Sequence, residues 1–194
     1  KLIMPGGIDP HVHLDLPVFD RISSDDHYTG HKAAAFGGTT TAIDFVVLEE
    51  QGFKYSSDLW MEKSAKAAID YSFHMNLNHF NDKLAAELPS LMEMGIQSLK
   101  VFTAYNGRLR IDDGSIFKAL RIAKENGMLT MAHCENGDVI EDLIPEALAA
   151  GHTSPEYHAL TRPAWGAVEA TLHMAAMAEQ ADASVYIVHM NVGG

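Results

Sequence analysis

The chain has 194 residues, of which 47% are hydrophobic, and a formal net charge of −12, so it can bury a substantial core in one domain while its acidic surface repels nucleic-acid phosphates. No run of about 18 apolar residues is available to span a membrane, and the opening KLIMPGG lacks the segments of a signal peptide. A single cysteine, Cys134, excludes an internal disulfide framework and fits a reducing, cytoplasmic setting.

In chain order, a first strand ends near His13. Ser23 to Phe36 reads as a helix stopped by Gly37-Gly38, its serines and aspartates suiting an N-terminus. The β-branched run Thr39 to Val47 is a second strand, followed by a helix over Ser57 to Ile69 and a third strand over Asp70 to Asn78. Asp82 to Met94 reads as one helix closed by Gly95, and Ile96 to Thr103 as the fourth strand. A helix over Asp113 to Asn126, with Gly127 at its C′ position, leads to the fifth strand, Met128 to His133. Two further helices, Asp138 to Ala150 and Ala164 to Gln180, flank a polar loop and precede a sixth strand, Ser184 to His189.

Strands alternating with helices at spacings of roughly 30 residues predict right-handed βαβ units and a parallel sheet. A doubly wound sheet would carry a glycine-rich loop after its first strand. Here that strand is followed by HVHLDLPVFD, with no glycine until Gly30. A (β/α) barrel fits better, and since a closed barrel needs eight strands and about 250 residues, the expectation is α/β: an incomplete TIM-type barrel of about six parallel strands, with 1–194 as one partial domain. Both ends read as cut. An open sheet of this kind exposes two edges, which predicts either a homo-oligomer or a missing remainder of the barrel.

Barrel geometry requires functional side chains at the C-terminal ends of several strands. His11 and His13 end the first strand and project to one side of it. Lys100 interrupts the apolar fourth strand, His133 ends the fifth and His189 the sixth. A lone strand-end histidine ordinarily serves as a hydrogen-bonded rim residue; four strand ends agreeing with one geometry point to a metal site. His27, His31, His152, His158 and His173 fall in helices or loops and are expected to face solvent, while His74 and His79 read as structural or supporting.

A lysine between Leu99 and Val101 on a buried strand pays desolvation, which lowers its pKa. It either pairs with a carboxylate, for which Asp44 is the candidate, or reacts as a neutral amine with carbon dioxide to give a carbamate whose two oxygens can bridge two cations.

In order along the chain, PGGIDPHVHLD, GGTTTAIDF, GIQSLKVFTAY, HCENGD, YHALTRP and YIVH resemble the amidohydrolase superfamily and, within it, the hydantoinase and dihydropyrimidinase family. The resemblance implies two divalent metal ions, usually zinc, with manganese or cobalt as alternatives. It places His11 and His13 on one metal, His133 and His189 on the other, and carboxylated Lys100 between them. It also implies that Tyr105 hydrogen-bonds the substrate carbonyl and its developing oxyanion. The implied reaction opens a hydantoin or 5,6-dihydropyrimidine ring to an N-carbamoyl amino acid through a metal-bridging hydroxide. Dihydroorotase-like relatives carry an arginine just after HxH; Leu14 and Asp15 stand here, which favours an uncharged ring over a carboxylate-bearing one. The family's catalytic aspartate lies on a later strand. The alternative is therefore a non-catalytic fragment or assembly protein that retains the metal-site residues.

Overall fold

The computed structural model describes residues 2–18 and 20–192. In chain order the elements are β1 (Gly7–Val12), a short hairpin of β2 (Pro17–Val18) and β3 (Arg21–Ile22), α1 (Thr29–Phe36), β4 (Thr39–Val47), α2 (Phe53–Lys63), β5 (Asp70–Asn76), α3 (Asp82–Glu87), α4 (Ser90–Glu93), β6 (Ser98–Phe102), α5 (Asp113–Glu125), β7 (Leu129–His133), α6 (Gly137–Ala149), α7 (Glu156–Leu160), α8 (Ala164–Gln180) and β8 (Val185–Ile187). They fall into two compact units, residues 1–76 with 90–96, and residues 77–89 with 97–194.

In the first unit β1, β4 and β5 run parallel, with Val12 opposite Asp44 and Phe45 opposite His74. Gly38, at φ +91, makes the left-handed turn into β4 that a side chain would strain. From Ala42 onward β4 is almost wholly buried, as parallel strands covered on both faces are. β1 is exposed over its first four residues, with Ile8 66% accessible.

Three helix boundaries differ from the sequence reading. α1 begins at Thr29 rather than Ser23, because the polar residues expected inside it are committed to turns. Asp26 Oδ1 accepts from the amides of Tyr28 (2.9 Å) and Thr29 (2.7 Å), Thr29 Oγ1 accepts from the Asp26 amide, and Ser23 Oγ accepts from the Leu16 amide. α2 begins four residues early, at Phe53, where Ser56 donates to the Gly52 carbonyl and accepts from the Glu49 amide. It gives way after Lys63 to a 3₁₀ turn over Ser64–Lys66. The single helix expected over 82–94 is split into α3 and α4, since Pro89 has no amide to donate to the preceding turn.

In the second unit β6, β7 and β8 run parallel, with Lys100 opposite Met131, Phe102 opposite His133 and Ala132 opposite Ile187. α5 starts where expected, the Asp112 carboxylate accepting from the Ser115 amide at 3.0 Å, and it buries Ile116, Ala119, Leu120 and Ala123. Each large aliphatic side chain so covered stabilises the fold by about 1.5–3 kcal/mol. Gly127, at φ +68, terminates α5. Asn136 caps α6 through the Val139 amide, and α8 buries Ala170, Met174 and Ala178. The sixth strand is shorter than expected, Val185–Ile187, so His189 lies in the turn beyond it rather than on it.

Candidate functional site

The predicted ligands fall into two groups, one in each unit. In the first, the register of β1 on β4 is irregular between Asp9 and Val12, and the His11 amide donates to Asp9 Oδ1 at 3.1 Å. Such irregularities re-aim side chains at strand ends. The rings of His11 and His13 meet edge to face with centroids 5.2 Å apart, and both rest on the fully buried Phe45 ring, at 4.6 and 4.8 Å. His74, opposite Phe45 on β5, packs on the same ring at 4.8 Å, and its Nε2 donates to the Pro10 carbonyl at 2.9 Å. His74 therefore supports the HxH segment. Phe45 was not picked out from the sequence, where it reads as one more apolar residue of TTTAIDFVV.

Asp44 is engaged within the first unit. Its Oδ1 accepts from the amides of Phe45 (2.7 Å) and Leu14 (3.4 Å), and its Oδ2 lies 3.2 Å from His27 Nε2. His27 and His31, expected at the surface, are buried to 0% and 1% accessibility. The pattern of polar neighbours hid this: His27 follows a run of serines and aspartates, yet the carboxylates it meets are Asp15 and Asp44, distant in sequence. His152, His158 and His173 are exposed, as expected.

In the second unit Lys100 is 1% accessible in the middle of β6, with Nζ 4.8 Å from the centroid of the Phe102 ring. Burial brings its ammonium pKa down to about 8. His133, at the end of β7, is flanked on both nitrogens. Nε2 donates to Glu135 Oε2 at 2.6 Å, and Nδ1 lies 3.1 Å from His189 Nε2. The charge-assisted bond to His133 holds the Glu135 carboxyl below its ordinary pKa, and burial, followed by the neighbouring His133 and Lys100, lowers that of His189. Glu135 was quoted in a motif but given no role; a carboxylate two residues past a strand-end histidine is the signal that could have found it.

Tyr105 follows β6 in a tight loop, its own carbonyl accepting from the amides of Arg108 and Leu109. Its ring lies 5.2 Å from that of His133. Burial, then the charge of Glu135, raises its phenol pKa, so the hydroxyl keeps its proton at neutral pH. Thr103 ties this loop to the end of β7: its hydroxyl accepts from the Glu135 amide and lies within donating reach of the carbonyls of His133 (3.1 Å) and Glu135 (2.8 Å). A cleft of about 440 Å³ opens here, lined by Tyr105, His133, Glu135, His158, Arg162 and His189 among others. Asp15, Tyr105 and His189 all carry positive φ (49°, 66° and 35°), the kind of strained backbone that a surrounding structure must hold in place.

Among the described residues no group of three or more His, Cys, Asp or Glu side chains is gathered as a metal cage. The residues do pass a narrower test. Two nitrogens on one tetrahedral zinc, each about 2.05 Å from it, stand about 3.3 Å apart. His133 Nδ1 and His189 Nε2 are at 3.1 Å, a separation that serves a direct hydrogen bond and equally the edge of such a coordination polyhedron.

Parallel strands alternating with helices, with histidines at or just beyond their C-terminal ends, define an α/β fold of the incomplete TIM-type (β/α) barrel kind. The model of the amidohydrolase family matches residues 2–161, and the chain belongs to that family. It is 46% identical over 192 residues to a D-hydantoinase of Geobacillus stearothermophilus, covering 97% of this chain and 41% of that protein. A D-phenylhydantoinase of Escherichia coli is 39% identical over 195 residues, covering 98% and 42%. Among solved structures, a dihydropyrimidinase from Brevibacillus agri superposes with a TM-score of 0.93 at 48% identity, covering 96% of this chain and 41% of that one. An L-hydantoinase from Arthrobacter aurescens, 19% identical, shares the fold with a TM-score of 0.79. The chain spans about two fifths of the length of the relatives it matches.

Proposed function

We propose that this chain carries the metal-binding part of a cyclic amidohydrolase that opens hydantoin or 5,6-dihydropyrimidine rings to N-carbamoyl amino acids. The observation that carries the reading is the pairing of His133 Nδ1 with His189 Nε2 at 3.1 Å, in a chain 46% identical to a D-hydantoinase. In the first unit His11 and His13 would hold one divalent ion; in the second, His133 and His189 would hold another, with Lys100, as its carbamate, as a further oxygen donor, and zinc suits imidazole nitrogen. When bound, the metal pair supplies hydroxide at neutral pH and polarises the ring carbonyl.

The chain's own residues do the rest. Glu135 accepts the Nε2 proton of His133 and so leaves Nδ1 as the lone pair. Deep burial of Lys100 favours the neutral amine that carboxylation needs. Tyr105, kept protonated, donates to the carbonyl oxygen as negative charge develops on it, an interaction worth roughly 3–4 kcal/mol. Ring opening adds one water: its oxygen bonds to the carbonyl carbon, the C–N bond breaks, and the leaving nitrogen takes up one of the water's protons.

The Asp15 carboxylate is faced by Lys66 at 3.5 Å and His27 at 3.3 Å, so preference for an uncharged ring rests less on its repulsion than on neither Leu14 nor Asp15 supplying the guanidinium that carboxylate-binding relatives carry just after HxH. The buried Cys134 fits a reducing cytoplasm, no helix among the described residues is long and apolar enough to cross a membrane, and the exposed β1 edge leaves room for a second copy or for the remainder of the barrel.

The test is elemental analysis for metal alongside hydrolysis of dihydrouracil and hydantoin. Metal uptake with ring opening, the latter lowered about a hundredfold by Tyr105→Phe at unchanged metal content, is the expected result. Metal without turnover would support the alternative, a non-catalytic chain retaining the ligands. A folded chain that takes up no metal and opens neither ring would sink the proposal.

A further inference from the structure

The first unit holds a buried polar cluster that the proposed chemistry does not use. At its centre His27, 0% accessible, lies between two carboxylates, with Nδ1 3.3 Å from Asp15 Oδ2 and Nε2 3.2 Å from Asp44 Oδ2. Those carboxylates sit on the two segments that bracket the HxH pair. Asp15 is two residues beyond His13, and Asp44 is paired with Val12, the residue between His11 and His13.

Three observations say that this corner needs holding. The β1–β4 ladder is irregular between Asp9 and Val12, so regular strand pairing does not carry the chain through His11. Asp15 has φ +49, a conformation that a non-glycine residue keeps only when its surroundings impose it. The remaining anchors are side chains: Asp44 Oδ1 accepts from the Leu14 amide, next to His13, and from the amide of Phe45, whose ring underlies both imidazoles; Lys63 donates to the Asp15 carbonyl at 3.0 Å. His27 places a ring nitrogen within 3.3 Å of a carboxylate on each side.

We propose that His27 is a positioning residue for the His11/His13 pair, clamping Asp15 to Asp44 so that the turn after the HxH strand holds both imidazoles in place. The inference rests on the reading of His11 and His13 as metal ligands. His31, one helical turn further on, provides an internal comparison. It is equally buried and its ring is 5.6 Å from that of His27, but neither of its nitrogens is hydrogen-bonded to a described residue, whereas His27 is hydrogen-bonded to Asp15 and stands at ion-pair distance from Asp44, without hydrogen-bond geometry on that side.

The experiment measures zinc affinity by competition with a chromophoric chelator, at one pH, for the wild-type chain, His27→Leu, His27→Gln, His31→Leu and His11→Ala, with circular dichroism to confirm folding. Groups that orient metal ligands typically contribute 10–100-fold to affinity. His27→Leu fills the space but contacts neither carboxylate, and is expected to weaken zinc binding by about that factor. His27→Gln, able to reach one carboxylate, is expected in between, and carries the test if His27→Leu does not fold. His31→Leu is expected within about twofold of wild type. Wild-type affinity in a folded His27 variant, or an equal loss in His31→Leu, overturns the clamp. Should the wild type take up no zinc and match His11→Ala, the metal reading fails first and this proposal with it.

Discussion

His133 Nδ1 and His189 Nε2 face one another at 3.1 Å, and the Glu135 carboxylate holds the opposite nitrogen of His133 at 2.6 Å. A carboxylate only accepts, so Nε2 carries the proton and Nδ1 presents the lone pair, the tautomer that a metal ligand needs. Glu135→Gln keeps the shape but weakens that choice. It is expected to lower zinc affinity about 10–100-fold by chelator competition, with little change in thermal stability.

Lys100 gives the opposite separation of stability from function. Its amine is buried in an apolar strand, and exchanging such a buried charge for an apolar side chain of similar length is often neutral to stabilising by about 1–4 kcal/mol. Metal-free Lys100→Met should therefore unfold at a urea concentration equal to or above that of the metal-free wild type. Added zinc should raise the midpoint of the wild type and leave the variant nearly unmoved.

The loop bearing Tyr105 is pinned by Gly137, the first residue of α6. A Cβ there would stand 2.6 Å from Asn106 Oδ1, 2.9 Å from Ala104 Cα and 3.0 Å from the Thr103 carbonyl. Two of these are backbone atoms and cannot swing away. Gly137→Ala is expected to cost about 1–3 kcal/mol in urea unfolding and to alter the near-ultraviolet signal of Tyr105.

Acid should loosen the molecule through its paired carboxylates. The Ser115 hydroxyl and amide hold Asp112 below its ordinary pKa, and Arg110, followed by Asn106, does the same for Asp138. A folded-state pKa below the unfolded one means that the stabilisation is fully present above about pH 4 and is lost as pH falls through the folded value. Asp112→Ala, which removes the α5 cap, should cost about 1 kcal/mol at pH 7. That difference should shrink below pH 4 in urea titrations at stepped pH.

How much of this was legible in the sequence depended on whether a residue's role was local. Thr39–Val47 was readable as a strand to the residue, because β-branching and burial on both faces agree there. The start of α1 was not. Ser23, Asp25 and Asp26 are good capping residues, yet side-chain bonds to Leu16, Tyr28 and Thr29 spend them on turns instead. At the site, His11, His13, Lys100 and His133 announced themselves as polar residues in or ending strands. His27 and Glu135 did not, since their significance lies in the carboxylate or imidazole each meets in space. The burial of His27 between Asp15 and Asp44 depends on contacts 12 and 17 residues away, which no local pattern encodes.

Zinc content per chain, measured by elemental analysis after dialysis against zinc and then metal-free buffer, decides whether these histidines bind metal. About two ions are expected in the wild type, about one fewer in each of His11→Ala and His189→Ala, and a loss of both in their combination. A folded wild-type chain that emerges free of zinc, or variants that retain it in full, would contradict the assignment of these histidines as metal ligands.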